Sequence, residues 1–144
     1  AGGLTYAAPP VAAQRNPTPS PLTHSTILLV EDNESAAMAV HDYLVSRGCT
    51  VLKARSGAEA LQIALAVRPD LILMDVQMPD MDGIETTRRL RQYPHMQSVV
   101  IIALTALAMR DDRERCLAAG MNDYLAKPVE FRKLAQLMEQ HLTS

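Results

Sequence analysis

From Thr26 onward, short apolar runs alternate with longer segments in which apolar residues recur at helical spacing. The apolar runs have the length of strands and are almost continuously hydrophobic, as strands buried on both faces are. Five repeats are present, with strands expected near 26–30, 50–53, 71–74, 99–104 and 122–126. This alternation predicts an α/β fold in which five helices cover both faces of a five-stranded, doubly wound parallel sheet.

Capping residues and helix breakers predict where the helices begin. The first helix is expected to begin near Asn33 or Glu34. The second opens with Ser56 and Glu59 in the S-x-x-E capping pattern, and the third follows Asp82 as its N-cap. The two remaining helices are expected over about 107–119 and from 130 onward.

Residues 1–25 differ in composition from the rest of the chain. This segment holds five of the nine prolines, and Arg15 is its only residue of the Asp, Glu, Lys and Arg types. It lacks the charged start and apolar centre of a signal peptide. We therefore expect a Pro/Ala-rich flexible linker over 1–25 and one folded domain over 26–144. Such a linker indicates a polypeptide that continues upstream, although a flexible extension on an independent protein would have the same composition.

Charge and composition exclude several classes of partner. The formal net charge is −2 and 3% of the residues are aromatic, so the basic surface and stacking side chains of nucleic-acid-binding proteins are missing. Cys49 and Cys116 lack the spacing of a zinc site or a disulfide framework. No apolar run approaches the roughly 18 residues that a membrane span needs. We expect a cytoplasmic domain without membrane contact, monomeric or weakly dimeric, even if its parent protein is anchored in a membrane.

Chemically suggestive residues follow the predicted strands. Glu31 and Asp32 follow strand one, Asp75 follows strand three, Thr105 follows strand four, and Lys127 follows strand five. In open doubly wound sheets, ligands bind outside the carboxyl ends of the strands. The flavodoxin-like strand order 2-1-3-4-5 makes strands one and three neighbours, and it therefore brings the three carboxylates together.

Three carboxylates in one pocket require a cation. At about 4 Å and an effective dielectric near 20, each pair repels by roughly 4 kcal/mol. Because the side-chain ligands are all oxygen, Mg²⁺ or Mn²⁺ is favoured over zinc, and the backbone carbonyl of Gln77 is a further candidate ligand. Phosphate oxygens drawn to such an ion would lie near Asp75, whose carboxylate can act as a nucleophile and form an acyl phosphate. Lys127 would supply a second positive charge, and the Thr105 hydroxyl would hydrogen-bond the phosphoryl group.

Four motifs in order carry a family resemblance: LLVEDN, MDVQMPDMDG, IIALTA and DYLAKP. With them, the chain from about Thr26 to Leu142 resembles the response-regulator receiver family, the CheY-like domains of two-component signalling. The resemblance implies Mg²⁺-dependent transfer of a phosphoryl group from phosphohistidine to Asp75, with phosphorylation and dephosphorylation catalysed by the domain itself. It also implies a conformational switch formed by Thr105 and Tyr124, and a cis peptide bond between Lys127 and the proline that follows it.

The residues of the motifs are most similar to those in receivers of hybrid histidine kinases, notably in EDNE, MDVQMPDMDG and AAGMNDYLAKP. This similarity implies a histidine kinase domain, a histidine phosphotransfer protein, or both as partners. A stand-alone single-domain response regulator is the alternative. Leu107 cannot orient a water and Gln77 is bulky, so we expect a longer-lived phosphate than in rapidly cycling receivers, measurable as the loss of label from purified phosphoprotein.

Other classes fit the sequence less well. An aspartate-nucleophile phosphohydrolase typically needs a second aspartate two residues after the first, where this chain has Gln77. A flavodoxin-like nucleotide or flavin binder needs a hydroxyl- or glycine-rich phosphate loop after strand one, where Glu31 and Asp32 would repel a phosphate. A scaffold without phosphorylation is disfavoured because no member of the acceptor set is missing. Taken singly, each acid, Lys127, Thr105 and Tyr124 also has an ordinary structural role as a surface charge, a cap or a core residue.

Overall fold

The computed structural model describes residues 22–78, 81–106 and 110–142. The predictions about the linker before Leu22 and about Leu107 fall outside these residues. Within them, no helix combines the length and the apolar character needed to cross a membrane.

Five parallel strands form a single sheet in the order β2-β1-β3-β4-β5. The strands are β1 (Thr26–Val30), β2 (Thr50–Ala54), β3 (Leu71–Asp75), β4 (Val100–Thr105) and β5 (Asp123–Ala126). The helices are α1 (Glu34–Ser46), α2 (Gly57–Val67), α3 (Gly83–Arg91), α4 (Arg110–Ala119) and α5 (Phe131–Leu142), with a short 3₁₀ helix at Pro94–Met96. The predicted fold class and strand order are confirmed.

Two helices begin at the N-caps that the sequence predicted, Ser56 and Asp82, and the first helix begins after Asn33, within its expected start region. The side chains of Asn33, Ser56 and Asp82 each accept a hydrogen bond from a backbone N–H three residues further on. Each cap therefore satisfies a donor that has no partner within its own helix. α2 ends where Arg68 adopts a left-handed conformation, with φ of 58°, directly before Pro69.

Two hydrophobic clusters lie on opposite faces of the sheet. On β1, Leu28 and Val30 belong to one cluster, whereas Ile27 and Leu29 belong to the other. All four side chains are almost completely buried. Burial of such a side chain stabilises the fold by about 1.5–3 kcal/mol. The two clusters therefore hold the sheet rigidly, with helices on both sides, and this fixes the positions of the residues at the strand ends.

Three strands, β2, β3 and β4, extend one residue beyond their predicted ends, and for β3 and β4 the added residue belongs to the predicted site. Asp75 is the last residue of β3, in register with Leu104, and Thr105 is the last residue of β4, in register with Ala126. The sequence placed both residues in the loops that follow, because polar side chains there end the apolar runs. Backbone pairing with the neighbouring strand continues regardless of side-chain polarity, so both residues sit on the sheet.

Leu22, which precedes the predicted start of the domain at Thr26, packs into one of the hydrophobic clusters. Leu22 is fully buried, and its carbonyl accepts a hydrogen bond from the Cys49 thiol at 3.3 Å. The backbone N–H of His24 donates to the Gly48 carbonyl at 2.8 Å. Composition could not show this. Whether a single leucine among prolines and polar residues is buried depends on its contacts with distant segments of the chain. The linker over residues 1–25 and the domain over 26–144 stay predictions.

Candidate functional site

The carboxyl ends of β1, β3 and β5 bring three charged side chains into contact. Lys127 Nζ lies 3.0 Å from Glu31 Oε1 and 3.2 Å from Asp75 Oδ2. Glu31 and Asp75 are only 4% and 2% exposed, so this is an internal ion-pair cluster and not a surface pair. Charge pairs removed from solvent are screened little and depend strongly on having all their partners.

Asp32 completes an acidic group with these two carboxylates. One oxygen from each of Glu31, Asp32 and Asp75 lies within 4.8 Å of the others. The backbone N–H of Asn33 donates to Glu31 Oε2 and that of Gln77 donates to Asp75 Oδ1, both at 3.1 Å. These hydrogen bonds fix the orientation of the two buried carboxylates. The structure thus brings together the three acids and the lysine that the sequence predicted to converge.

The electrostatics of the cluster are unbalanced. Burial, followed by the hydrogen bond and the negative charge of Glu31, raises the pKa of Asp75 to about 6, although Lys127 and the Gln77 N–H act in the opposite direction. Burial would lower the pKa of Lys127, but its hydrogen bond to Glu31 and the charges of both buried carboxylates raise it overall. One ammonium group does not compensate three carboxylates.

The donor chemistry of this cluster fits a hard divalent cation. The three side-chain ligands are carboxylate oxygens, which Mg²⁺ and Mn²⁺ prefer. Burial first, and then the hydrogen bond and negative charge of Glu31, raise the pKa of Asp75 and so disfavour its ionised form. A cation beside the three acids would supply a compensating positive charge.

A tight approach of α3 holds the loop after Asp75. A Cβ at Gly83 would collide with the Asp75 carbonyl oxygen and lie 2.9 Å from Met74 Cγ. The Gly83 N–H donates to the Val76 carbonyl at 3.0 Å. The sequence indicated a helix start after Asp82, but not this contact. Only a residue without a side chain allows the helix to start against the end of β3.

Thr105 is the last residue of β4, and Tyr124 lies on the neighbouring strand β5. Thr105 is 3% exposed, and its carbonyl accepts a hydrogen bond from the Lys127 N–H at 2.8 Å. Tyr124 is half-buried and in register with Ala103. The peptide bond between Lys127 and Pro128 is cis, as the resemblance implied. A cavity of about 400 Å³ opens beside these strand ends, lined by Val76, Gln77, Met78, Asp82, Thr105, Asp112 and Arg115.

Comparison with known proteins identifies the family. The sequence profile of the response regulator receiver domain matches residues 27–139, which is most of the chain. The chain belongs to the response regulator receiver domain family. Receiver domains are the signal-accepting units of two-component systems, and phosphorylation on aspartate with Mg²⁺ is typical of them.

Relatives of this receiver domain include response regulators and kinase receivers. The polar-differentiation response regulator DivK of Brucella anthropi is 35% identical over 117 residues, which cover 81% of this chain and 95% of DivK. The receiver domain of a sensor histidine kinase from Pseudomonas aeruginosa is 42% identical, with a TM-score of 0.79, and covers 85% of this chain and 100% of that one. That crystal structure has a magnesium ion coordinated in its active-site cleft.

A chemotaxis response regulator of Vibrio cholerae, CheY4, is 29% identical to this receiver domain. Its structure has a TM-score of 0.79 and covers 83% of this chain and 99% of that one. The shared fold therefore extends over the whole sheet and its helices, including the strand ends at which the acidic cluster lies.

Proposed function

We propose that Asp75 of this receiver domain accepts a phosphoryl group from a phosphohistidine, in a site that binds Mg²⁺ or Mn²⁺. The observation that carries the proposal is the position of the Asp75 carboxylate, 2% exposed and 3.2 Å from the Lys127 ammonium group. A buried carboxylate next to a cation and to further acids suits a nucleophile that must receive a highly charged group.

We assign the cation to the carboxylates of Glu31, Asp32 and Asp75 and to the backbone carbonyl of Gln77. Three observations support this assignment: the oxygen-only donor set, the excess of negative charge, and the magnesium ion in the cleft of the kinase receiver from Pseudomonas aeruginosa. When bound, Mg²⁺ would neutralise negative charge on the acids and on the incoming phosphoryl oxygens.

The transfer itself requires a nucleophile and a means of stabilising charge. An Asp75 carboxylate oxygen attacks the phosphorus atom, forming a P–O bond as the P–N bond to the donor imidazole breaks and its electron pair returns to the nitrogen. The Lys127 ammonium, now paired with both carboxylates, is positioned to pair with a phosphoryl oxygen as negative charge moves onto Asp75. The Thr105 hydroxyl, at the end of the adjacent strand, donates a hydrogen bond to the phosphoryl group.

The response to phosphorylation is assigned to Thr105 and Tyr124. Thr105 moves toward the acyl phosphate, Tyr124 turns inward, and the surface formed by α4, β5 and α5 changes shape. A complete shift from 1:99 to 99:1 requires about 5.5 kcal/mol of preference for one state. New contacts of the phosphoryl group with Lys127 and Thr105 are the source of that preference.

The phosphodonor is a histidine kinase domain, a histidine phosphotransfer protein, or both. The 42% identity to the receiver of a sensor histidine kinase supports an origin in a hybrid kinase. The 35% identity to DivK supports the alternative, a stand-alone response regulator. The coding sequence upstream of Ala1 distinguishes these two origins, because a hybrid kinase has a kinase core there and a stand-alone regulator does not.

Site mapping tests the proposed acceptor. The chain is incubated with acetyl phosphate and Mg²⁺, the acyl phosphate is reduced with borohydride, and the modified peptide is sequenced by mass spectrometry. We expect the modification on Asp75. Modification of another carboxylate, for example Asp32 or Asp82, would contradict the proposal.

A further inference from the structure

The ring of Tyr124 is covered by an arginine from α4. The guanidinium carbon of Arg113 lies 5.2 Å from the centre of the Tyr124 ring, within the range of about 6 Å for a cation–π contact. Among the ion pairs of the described residues, none includes Arg113, whereas Arg115 of the same helix pairs with Asp112 at 3.8 Å. The Arg113 guanidinium is therefore available to hold the ring.

Tyr124 and Thr105 lie on the same side of the sheet. Tyr124 is in register with Ala103, and Thr105 is in register with Ala126 two residues further along both strands. Because alternate residues of a strand face the same side, Tyr124 and Thr105 share one face of the sheet. Ala103 is buried and small, and Thr105 lines the cavity of about 400 Å³ beside α4. A tyrosine ring turned inward over Ala103 would approach Thr105.

We propose that the half-buried Tyr124 ring is in its outward orientation in the unphosphorylated domain, and that Arg113 is the positioning residue that holds it there. The inference depends on the proposed function in one respect: it takes Tyr124 as the side chain that responds to phosphorylation. On turning inward, the ring loses its contact with Arg113. The phosphoryl group must therefore overcome this contact as well as reorganise Thr105.

The contact biases the switch without blocking it. A cation–π contact at an exposed site changes an equilibrium constant by about two- to fivefold, which corresponds to about 0.5–1 kcal/mol. By linkage, a contact made only in the outward state weakens the binding of any ligand that requires the inward state by the same factor. Removal of Arg113 is thus expected to strengthen the binding of a phosphoryl mimic by about two- to fivefold.

The sign of this effect separates the proposal from simple electrostatics. Arg113 carries a positive charge, and its removal from the α4 side of the acceptor cavity would, through charge alone, weaken the binding of an anion. Release of the Tyr124 ring from its contact with Arg113 would instead strengthen the binding of the anion. An increase in affinity therefore identifies the positioning role, and it excludes a general contribution of charge.

The experiment compares Arg113→Met, Arg113→Lys and the wild type, with Arg132→Met as a control. Arg132 is exposed on α5, and its replacement removes the same charge. The first measurement is NMR of ¹³C-labelled tyrosine, with the Tyr124 signal assigned through Tyr124→Phe. The second is the affinity for beryllofluoride in the presence of Mg²⁺, measured in parallel on Asp75→Asn.

In Arg113→Met we expect a shifted or exchange-broadened Tyr124 signal and about two- to fivefold tighter binding of beryllofluoride. Arg113→Lys should restore part of both properties, and Arg132→Met should resemble the wild type. Binding that depends on Asp75 but is unchanged or weaker in Arg113→Met overturns the role of Arg113 and leaves the proposed function intact. If no variant shows binding that depends on Asp75, the proposed function fails. In that case the NMR measurement still tests Arg113, because an unchanged Tyr124 signal in Arg113→Met would overturn the proposed role of its contact with the ring.

Discussion

Lys127 Nζ lies 3.2 Å from Asp75 Oδ2, although Asp75 ends β3 and Lys127 follows β5, two strands that are not neighbours. β4 runs between them, and the lysine reaches past its end to the carboxylate. Lys127 is 27% exposed and Asp75 is 2% exposed, so the contact lies at the boundary between the interior and the open edge of the sheet. Such a contact can hold the acid in place and still admit a phosphoryl group from outside.

Lys127→Ala tests how far the buried acids depend on their cation. We expect the metal-free protein to lose about 1–3 kcal/mol of stability, because Glu31 and Asp75 remain buried without their positive partner. Phosphorylation by acetyl phosphate should also slow markedly. Chemical denaturation and a labelling time course measure the two effects. Lys133→Ala is the matched control, since Lys133 is 65% exposed and forms only a long pair with Glu130 at 3.9 Å; an equal loss in both variants would contradict the assigned role.

Asp32→Asn tests the assigned metal ligands. Asp32 is less buried than Glu31 and Asp75, so its replacement should change the stability of the metal-free protein little. Affinity for Mg²⁺ should fall by about tenfold or more, because even residues outside the direct ligand set affect metal affinity by about 10- to 100-fold. Calorimetric titration with Mg²⁺ measures this affinity. Glu34→Gln removes a nearby exposed charge on α1 and should bind Mg²⁺ as the wild type does; equal weakening would indicate a general charge effect.

The raised pKa of Asp75 predicts a dependence of metal stabilisation on pH. In the metal-free protein this pKa rises from 3.8 to about 6, so between these values the folded chain retains a proton that the unfolded chain has lost. Ionisation of Asp75 therefore lowers stability as pH rises through this window, by up to about 3 kcal/mol, and this loss persists at higher pH.

Because Mg²⁺ binds the ionised acids, the increase in Tm that it produces should be small near pH 5 and should level off above about pH 7. Thermal melts with and without Mg²⁺ across this range measure the effect. In Asp75→Asn the dependence should largely disappear. A wild-type increase in Tm that is constant from about pH 5 to about pH 7.5 would count against the assigned ligand set.

Thr105→Ala separates phosphorylation from the response to it. The acceptor and its cation partners remain, so acetyl phosphate should still label the protein. The phosphoryl group loses a hydrogen-bond donor, so the change in the Tyr124 NMR signal on phosphorylation should be reduced. An unreduced response in fully labelled Thr105→Ala would remove Thr105 from the switch.

The convergence of Asp75 and Lys127 followed from sequence because it depends on strand order. Alternating apolar runs and helical segments predict a doubly wound parallel sheet, and parallel strands place their carboxyl ends at one edge. The N-caps at Ser56 and Asp82 were also predictable, since capping is set by a few neighbouring residues.

Features that depend on contacts between distant segments were not predictable. Leu22 is buried in a cluster with residues of distant segments, among them Leu44 and Cys49. The close approach of Gly83 to the Asp75 carbonyl depends on how α3 packs against the end of β3. The contact of Arg113 with Tyr124 joins a solvent-facing helix position to a strand, and neither residue type indicates the other in sequence.

The most direct test of the account is the intact mass of the wild type and of Asp75→Asn after incubation with acetyl phosphate and Mg²⁺. The account predicts that the wild type gains the mass of one phosphoryl group, that chelation of Mg²⁺ prevents the gain, and that Asp75→Asn remains unmodified although it is folded. Stoichiometric phosphorylation of Asp75→Asn would contradict the account.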